Sequence, residues 1–354
     1  RCPTRMTPLR LLYAVQGTGN GHVARAQALV PLLLAQPNVR LDLVVSGTLV
    51  DVGLPLTPRE RYAGFSFRYG KSGGIDWFQT FWANSWWKLL HSIQKAPVAE
   101  YDLVLNDFEP VTAYACKWRK IPIIDISHQA GVRHPGAARP KHQDPLAEWV
   151  LANFAPANRC LGFHFVAQGI NYRTPVIRPT VRQLKRAVDG SVLVYLPAYA
   201  PEVLLPVLMG LSQRVWHVFV RPGTPFPQNT PEHVNWHAID QEAFLDRLSR
   251  ASHVLCSAGF ELPAEALFLG AALAVVPIAG QYEQSCNAAE AKKLGARVLR
   301  SLHRPKDRQK LSDWLGLEQG HPVYFPDETE TLVQDLLRRF RENPQLPDYV
   351  RAKS

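Results

Sequence analysis

An alternation that runs, breaks off and starts again limits this chain's fold more than any other feature. Apolar runs of strand length lead into segments of helix length: "LRLLYAV", a glycine loop and "HVARAQALVPLLLAQ", then "VRLDLVVSG", "YDLVLND", "EPVTAYACKWRK" and "IPIIDIS". That is the strand-helix-strand pattern of a doubly wound, parallel α/β sheet. It fades at "GFHFVAQGINYRTPVIRPTVRQ", rich in Arg, Pro and turn formers, and restarts with "SVLVYLP", "VWHVFVRP", "VNWHAI", "SHVLCSAG" and "ALAVVPIAG". At 354 residues the chain exceeds the size of an ordinary single core, so two domains are expected. The expected division is 1–165, a linker at 166–182, a second domain at 183–328, and a C-terminal helix and tail at 329–354 that returns to the first domain. Two open sheets joined by one linker face each other across a cleft, and ligands bind beyond the carboxyl ends of such strands.

Composition excludes several classes. An apolar share of 46% with 20% charged residues describes a folded protein, and no apolar run approaches the roughly 20 residues that span a bilayer. The basic N-terminus leads directly into a patterned strand, so a cytoplasmic protein without a signal peptide is expected. Five scattered cysteines form no C-x-x-C pair and lie at no zinc-ligand spacing with histidine; no metal site is expected. The net charge of +10 favours an anionic partner, but it is spread out, which argues against a dedicated nucleic-acid module without excluding nucleic acid.

Two clusters sit where strands end. In "YAVQGTGNGHVARA", Gly17, Gly19 and Gly21 allow a tight turn and a close approach of ligand to backbone amides at a helix start. The spacing is neither that of dinucleotide folds nor that of P-loops. His22 follows as a candidate general base, with Asp107 at the end of "YDLVLND" to fix its tautomer; a helix-capping His22 and an N-cap Asp107 are the plainer readings. Glu109 competes for the partner role. The second cluster, "VLCSAGFELPAEALFLGAALAVVPIAGQYEQSCNA", joins Ser257, Gly259 and Phe260 at a helix start suited to phosphate with Glu265, able to take vicinal hydroxyls. Gln281, Glu283, Gln284 and Asn287 follow one strand later. A solvated helix acid and an ordinary polar loop are the alternatives.

The order Gly259, Glu265, Pro277, Glu283, Gln284, Asn287, Ala288 resembles the donor-binding signature of GT-B glycosyltransferases that use nucleotide sugars. These include plant glucosyltransferases and the N-acetylglucosaminyltransferase of peptidoglycan synthesis. Most similar is a bacterial and archaeal glycosyltransferase-like family with "GxGxGHxxR", "DFEP", a following "HQ" and "AGFELPAEAL…VPIxGQxEQ". The resemblance implies two Rossmann-like domains, acceptor-binding then donor-binding, about a central cleft. His22 becomes the base of an inverting transfer and Asp107 its partner; Glu265 holds ribose; Glu283 and Gln284 hold the donor sugar; Gly259 and Phe260 lie by the diphosphate; Gly19, Gly21, Ser257 and Gln281 are further donor-side residues, and Arg221 is a candidate for the charge that meets the phosphates. The plant signature has histidine where Ser257 stands, tryptophan where Phe260 stands and a phosphate-binding serine where Leu262 stands.

No resident cofactor is expected, since the nucleotide sugar, UDP-linked by resemblance, is the substrate. No D-x-D occurs, so no metal held by one is expected. On the acceptor side are Glu109, His128, Gln129 and the aromatic segment of Trp77, Trp82, Trp86 and Trp87, which reads as core, as an apolar acceptor wall or as a shallow face on a membrane. A sugar-nucleotide 2-epimerase of the same architecture, or a non-catalytic sugar-nucleotide or glycan-binding protein, are the competing functions.

Overall fold

The computed structural model describes residues 7–18, 20–47, 53–64, 86–167, 169 and 171–344. Trp77, Trp82 and Gly19 lie outside them.

Two six-stranded sheets repeat one topology. The first contains β1 (Leu9–Gln16), β2 (Val39–Ser46), β3 (Glu60–Tyr62), β4 (Leu103–Asp107), β5 (Ile123–Asp125) and β6 (Arg159–Cys160), in the order β3-β2-β1-β4-β5-β6. A small pair, β7 (Gly162–Phe163) and β8 (Tyr172–Arg173), follows. The second large sheet has β9 (Val192–Tyr195), β10 (Trp216–Val220), β11 (Val234–Ala238), β12 (His253–Ser257), β13 (Ala272–Val276) and β14 (Arg297–Val298), in the order β11-β10-β9-β12-β13-β14. Every pairing is parallel. Parallel sheets are covered on both faces, which is why β4 and β13 are buried at every position.

Each strand order reverses once, between β1 and β4 and between β9 and β12. At such switch points the helices leave in opposite directions and open a crevice at the carboxyl ends. Asp107 ends β4, Tyr195 ends β9 and Ser257 ends β12, so chemistry-bearing side chains stand at both crevices.

The connection between the sheets is partly built structure, with β8 pairing to β7 and a short helix at Pro179–Arg182. From the second sheet the helix Thr329–Glu342 returns to the first half. Its Leu332, Val333 and Leu336 close on Leu29 and Leu33 of the helix Asn20–Leu34, and Arg341 donates to the Pro37 carbonyl at 2.9 Å. One apolar core therefore includes residues of both halves, among them Leu11, Phe163, Leu193 and Phe260. None of the described helices is long and apolar enough to cross a membrane.

Replacing Leu336 by Ala removes a buried side chain from the seam made by the returning helix. The expected loss is about 2–5 kcal/mol of unfolding free energy, read by urea denaturation. A change within error would mean that the helix does not hold the two halves together.

Candidate active site

At the end of β4 the chain turns sharply. Asn106 donates to the Glu109 carbonyl at 2.7 Å and accepts from the Glu109 N–H at 2.9 Å, while Phe108 adopts a left-handed φ of 57°. That conformation costs about 1–2 kcal/mol for a residue with a Cβ, and it turns Asp107 and Glu109 toward different partners. Glu109 caps the helix Pro110–Arg119, accepting from Val111 N and Thr112 N at 2.7 Å each and from the hydroxyls of Thr112 and Ser46 at 2.5 Å each. It is wholly buried. In this structure Glu109 is a helix cap and not a wall of an acceptor site, because its carboxylate is already fully engaged.

Asp107 faces the other way and is also wholly buried. His22, in the first turn of the helix Asn20–Leu34, places Nδ1 at 2.7 Å from Asp107 Oδ1. With Nδ1–H donating to the carboxylate, the lone pair of the neutral ring lies on Nε2, as a general base requires. Burial would lower the basicity of His22, but the charge and hydrogen bond of Asp107 outweigh it and hold the pKa above the ordinary 6.5. For Asp107, burial raises the pKa, and the opposing charges and bonds of Arg25 and His22 pull it below the usual carboxylate value.

Arg25 completes the group. Its Nε donates to Asp107 Oδ2 at 2.7 Å and its Nη2 to Oδ1 at 2.9 Å. The remaining nitrogen, Nη1, pairs at 2.8 Å with Glu261, the first residue of the helix Glu261–Phe268 in the second half. Gly21 packs so closely on this carboxylate that a Cβ there would overlap Glu261 Oε2. The glycine leaves room for this approach, and a side chain there would make the Glu261 carboxylate move.

Between the halves lies a cavity of about 460 Å³. Its walls include Gly21 from the first half and Arg221, Ser257, Gly259, Phe260, Glu265 and Gln284 from the second. The helix Glu261–Phe268 begins with no side-chain cap, which leaves its first amides open to an anion. A Cβ on Gly259 would meet nothing within 4 Å, so the glycine keeps that approach clear. Ser257 Oγ is shielded from water and has no hydrogen-bond partner among the described residues. Glu265, 2% exposed, is gripped by Arg178, with Nε at 2.6 Å from Oε1 and Nη2 at 2.8 Å from Oε2. Each carboxylate oxygen keeps a further lone pair for a hydroxyl.

Other expected site residues stitch the halves together. His128 is buried, stacks on Phe260 at 3.6 Å with a 7° interplanar angle, and has Nδ1 at 2.8 Å from the Phe163 carbonyl and Nε2 at 2.6 Å from the Asn287 side chain. Burial first, then the neighbouring His164, pushes its pKa down to about 3. Gln129 donates to Glu283 at 3.0 Å. Both residues therefore sit at the seam rather than on an open acceptor surface. Glu283 and Gln281 do not line the cavity, while the amide oxygen of Gln284 holds the Ile278 N–H at 2.9 Å. His22 is likewise set behind the cavity wall, next to Gly21, with its side chain 14% exposed. Trp86 and Trp87, 50% and 83% exposed, are not core residues; Ile93 alone is buried in the helix Trp86–Lys95. Among the described residues no cluster of three or more His, Cys, Asp or Glu is arranged to hold a metal.

Sequence reasoning missed Arg25, Glu261 and Arg178 as members of the site. Arg25 had a readable signal, since residues three apart share a helix face and it follows His22 by three. Arg178 lies in the connecting segment, where no periodicity points to a partner.

Two parallel sheets of one topology, facing across a cleft lined at both switch points, define the GT-B architecture of nucleotide-sugar glycosyltransferases. The chain matches glycosyl transferase family 1 over residues 9–315 and belongs to that family. Its fold is similar to MurG of Acinetobacter baumannii, at 16% identity and a TM-score of 0.53, covering 94% of this chain and 100% of that one. It is also similar to UGT2 of Phytolacca americana, solved with UDP-2fluoro-glucose and pterostilbene, at 13% identity and a TM-score of 0.56, covering 95% and 100%. CalG4, the calicheamicin glycosyltransferase, shares 15% identity with a TM-score of 0.52 over 95% and 99%. No curated protein matches the sequence significantly.

Gly21→Ala forces a methyl group into the Glu261 carboxylate and must displace its pair with Arg25. A loss of about 1–3 kcal/mol is expected in chemical denaturation, against a much smaller change for Gly259→Ala, whose new methyl group meets open space.

Proposed function

We propose that this protein is an inverting glycosyltransferase that moves a hexose from a nucleoside-diphosphate sugar to a hydroxyl acceptor, with His22 as general base. The observation that carries this reading is the His22–Asp107 pair at one switch point, with the cavity of Glu265 and Ser257 at the facing one. In the reaction, His22 Nε2 takes the acceptor's hydroxyl proton as that oxygen bonds to the anomeric carbon. The bond from that carbon to the diphosphate oxygen breaks on the opposite face, and the nucleoside diphosphate leaves with the electron pair.

Each wall of the cavity has a task in this scheme. Glu265, steadied by Arg178, accepts the ribose hydroxyls, while Ser257, Arg221 and the first amides of the helix Glu261–Phe268 take up charge growing on the leaving diphosphate. This chemistry needs neither a resident cofactor nor a metal, since helix amides and arginine supply the positive charge. Gln284 approaches the donor sugar from the helix Tyr282–Lys293, while Glu283 stands outside the cavity wall, held by Gln129. A UDP-hexose is the first donor to test, because a plant enzyme of the same fold was solved with UDP-2fluoro-glucose. An apolar or lipid-linked acceptor suits the exposed Trp86 and Trp87 beside Lys88, a composition that favours contact with a membrane surface.

A thermal-shift panel of nucleoside diphosphates and their sugars identifies the donor, since a ligand that binds only the folded state raises the melting temperature. With that donor, His22→Ala should lower transfer about 10²–10⁴-fold with donor affinity retained. Retained transfer would remove the base, and release of an epimerised sugar without acceptor would replace transfer by epimerisation. Glu265→Ala should weaken nucleotide binding in calorimetry. The base must be neutral to act, and its pKa is raised, so the rate should rise with pH through a midpoint above 6.5.

A further inference from the structure

We propose that Arg25 is the positioning residue of this site, fixing the face that Asp107 presents to His22 and linking that pair to Glu261 of the opposite half. The proposal rests on the reading of His22 as the base.

The geometry is specific. A guanidinium offers five N–H donors in a planar fork, and here two of its nitrogens span both oxygens of Asp107 while the third reaches across the cleft. Asp107 Oδ1 is thereby shared between Arg25 Nη2 and His22 Nδ1, which themselves lie 3.3 Å apart. The Asp107 carboxylate cannot rotate without breaking the fork. The guanidinium also packs over the Phe163 ring at 5.5 Å and is 2% exposed, so water cannot replace a lost partner.

Charge gives this arrangement a chemical consequence. His22 is faced by Asp107 from β4, by Arg25 from its own helix, by Glu261 from the helix Glu261–Phe268 and by Glu283 from the helix Tyr282–Lys293. The Tyr13 hydroxyl of β1 lies in the same electrostatic group, beside Asp107, Arg25 and Glu261. Arg25 opposes protonation of the ring and Glu261 favours it. With Asp107 alone, the imidazole would be held charged to higher pH and would be a poorer base near neutrality. With Arg25 in place, the ring keeps its oriented hydrogen bond and is still able to lose its proton. Glu261 stands at the start of the helix that walls the donor cavity, so the donor half contributes directly to the state of the base.

The test is the titration of His22, followed by NMR on the full chain labelled with ¹³C at histidine and assigned by the signal missing in His22→Ala. Arg25→Met should raise the His22 midpoint by about one pH unit. Arg25→Lys, which keeps the charge without the fork, should bring it back toward the unsubstituted protein. Glu261→Gln should move it downward with the Arg25–Asp107 fork intact. An unmoved midpoint in Arg25→Met, or shifts of the same sign in Arg25→Met and Glu261→Gln, would overturn the proposal. Should Arg25→Met not fold, as near-UV circular dichroism would reveal, Glu261→Gln decides alone: a lowered midpoint supports the link, and an unmoved one overturns it. None of these titrations needs a substrate. Midpoints that move as expected while His22→Ala still transfers sugar would sink the base reading and leave the Arg25 link standing.

Discussion

A buried guanidinium between two carboxylates is the interaction on which the rest of this molecule depends. Removing a charged arginine from water costs several kcal/mol, and only well-placed partners offset it. Arg25 has a hydrogen-bonded fork to Asp107 in one half and the charge of Glu261 at 2.8 Å in the other. One cation and two anions leave the group with a net negative charge, which a proton arriving on His22 cancels. The site thus favours a protonated imidazole at His22, while the fork holds the Asp107 carboxylate against the ring. The same ion pair is a clasp across the cleft, so the geometry around His22 and the closure of the two halves are set together.

The clasp is not alone. Asn20 reaches the Tyr195 hydroxyl at 3.1 Å, His128 lies flat on Phe260, and Gln129 meets Glu283. Each contact joins residues more than a hundred positions apart in the chain. Together they turn two independently patterned sheets into one body with its cavity at the seam. Phe260 illustrates the economy of the arrangement, since it both walls the cavity and carries the stacked His128. The helix Thr329–Glu342 closes the far side by packing its apolar stripe on the helix that carries His22 and Arg25.

On the opposite wall, Arg178 and Glu265 repeat the same device at the cavity. An acid inside a short helix, 2% exposed, would be costly without a partner, and the arginine comes from the segment that connects the two sheets. The connection therefore holds a buried acid of the cavity wall directly.

The sequence by itself determined the two sheets, the break between them, the strand ends of Asp107 and Ser257, and the helices that carry His22 and Glu265. Those features are local: strand and helix periodicity, glycine at tight turns and polar residues at the end of an apolar run are written within a few tens of residues. The partners were decided only by the tertiary structure. That Glu109 caps a helix while Asp107 two residues earlier faces the cleft follows from the left-handed turn at Phe108, which no periodicity announces. That His128 and Gln129 are seam residues rather than an open wall follows from the second half lying on them. In sequence Arg25 shows only that it shares a helix face with His22, without naming its partners. It becomes the centre of the site only when folding brings Glu261, 236 positions away by the numbering, within 2.8 Å of a guanidinium that water can no longer reach.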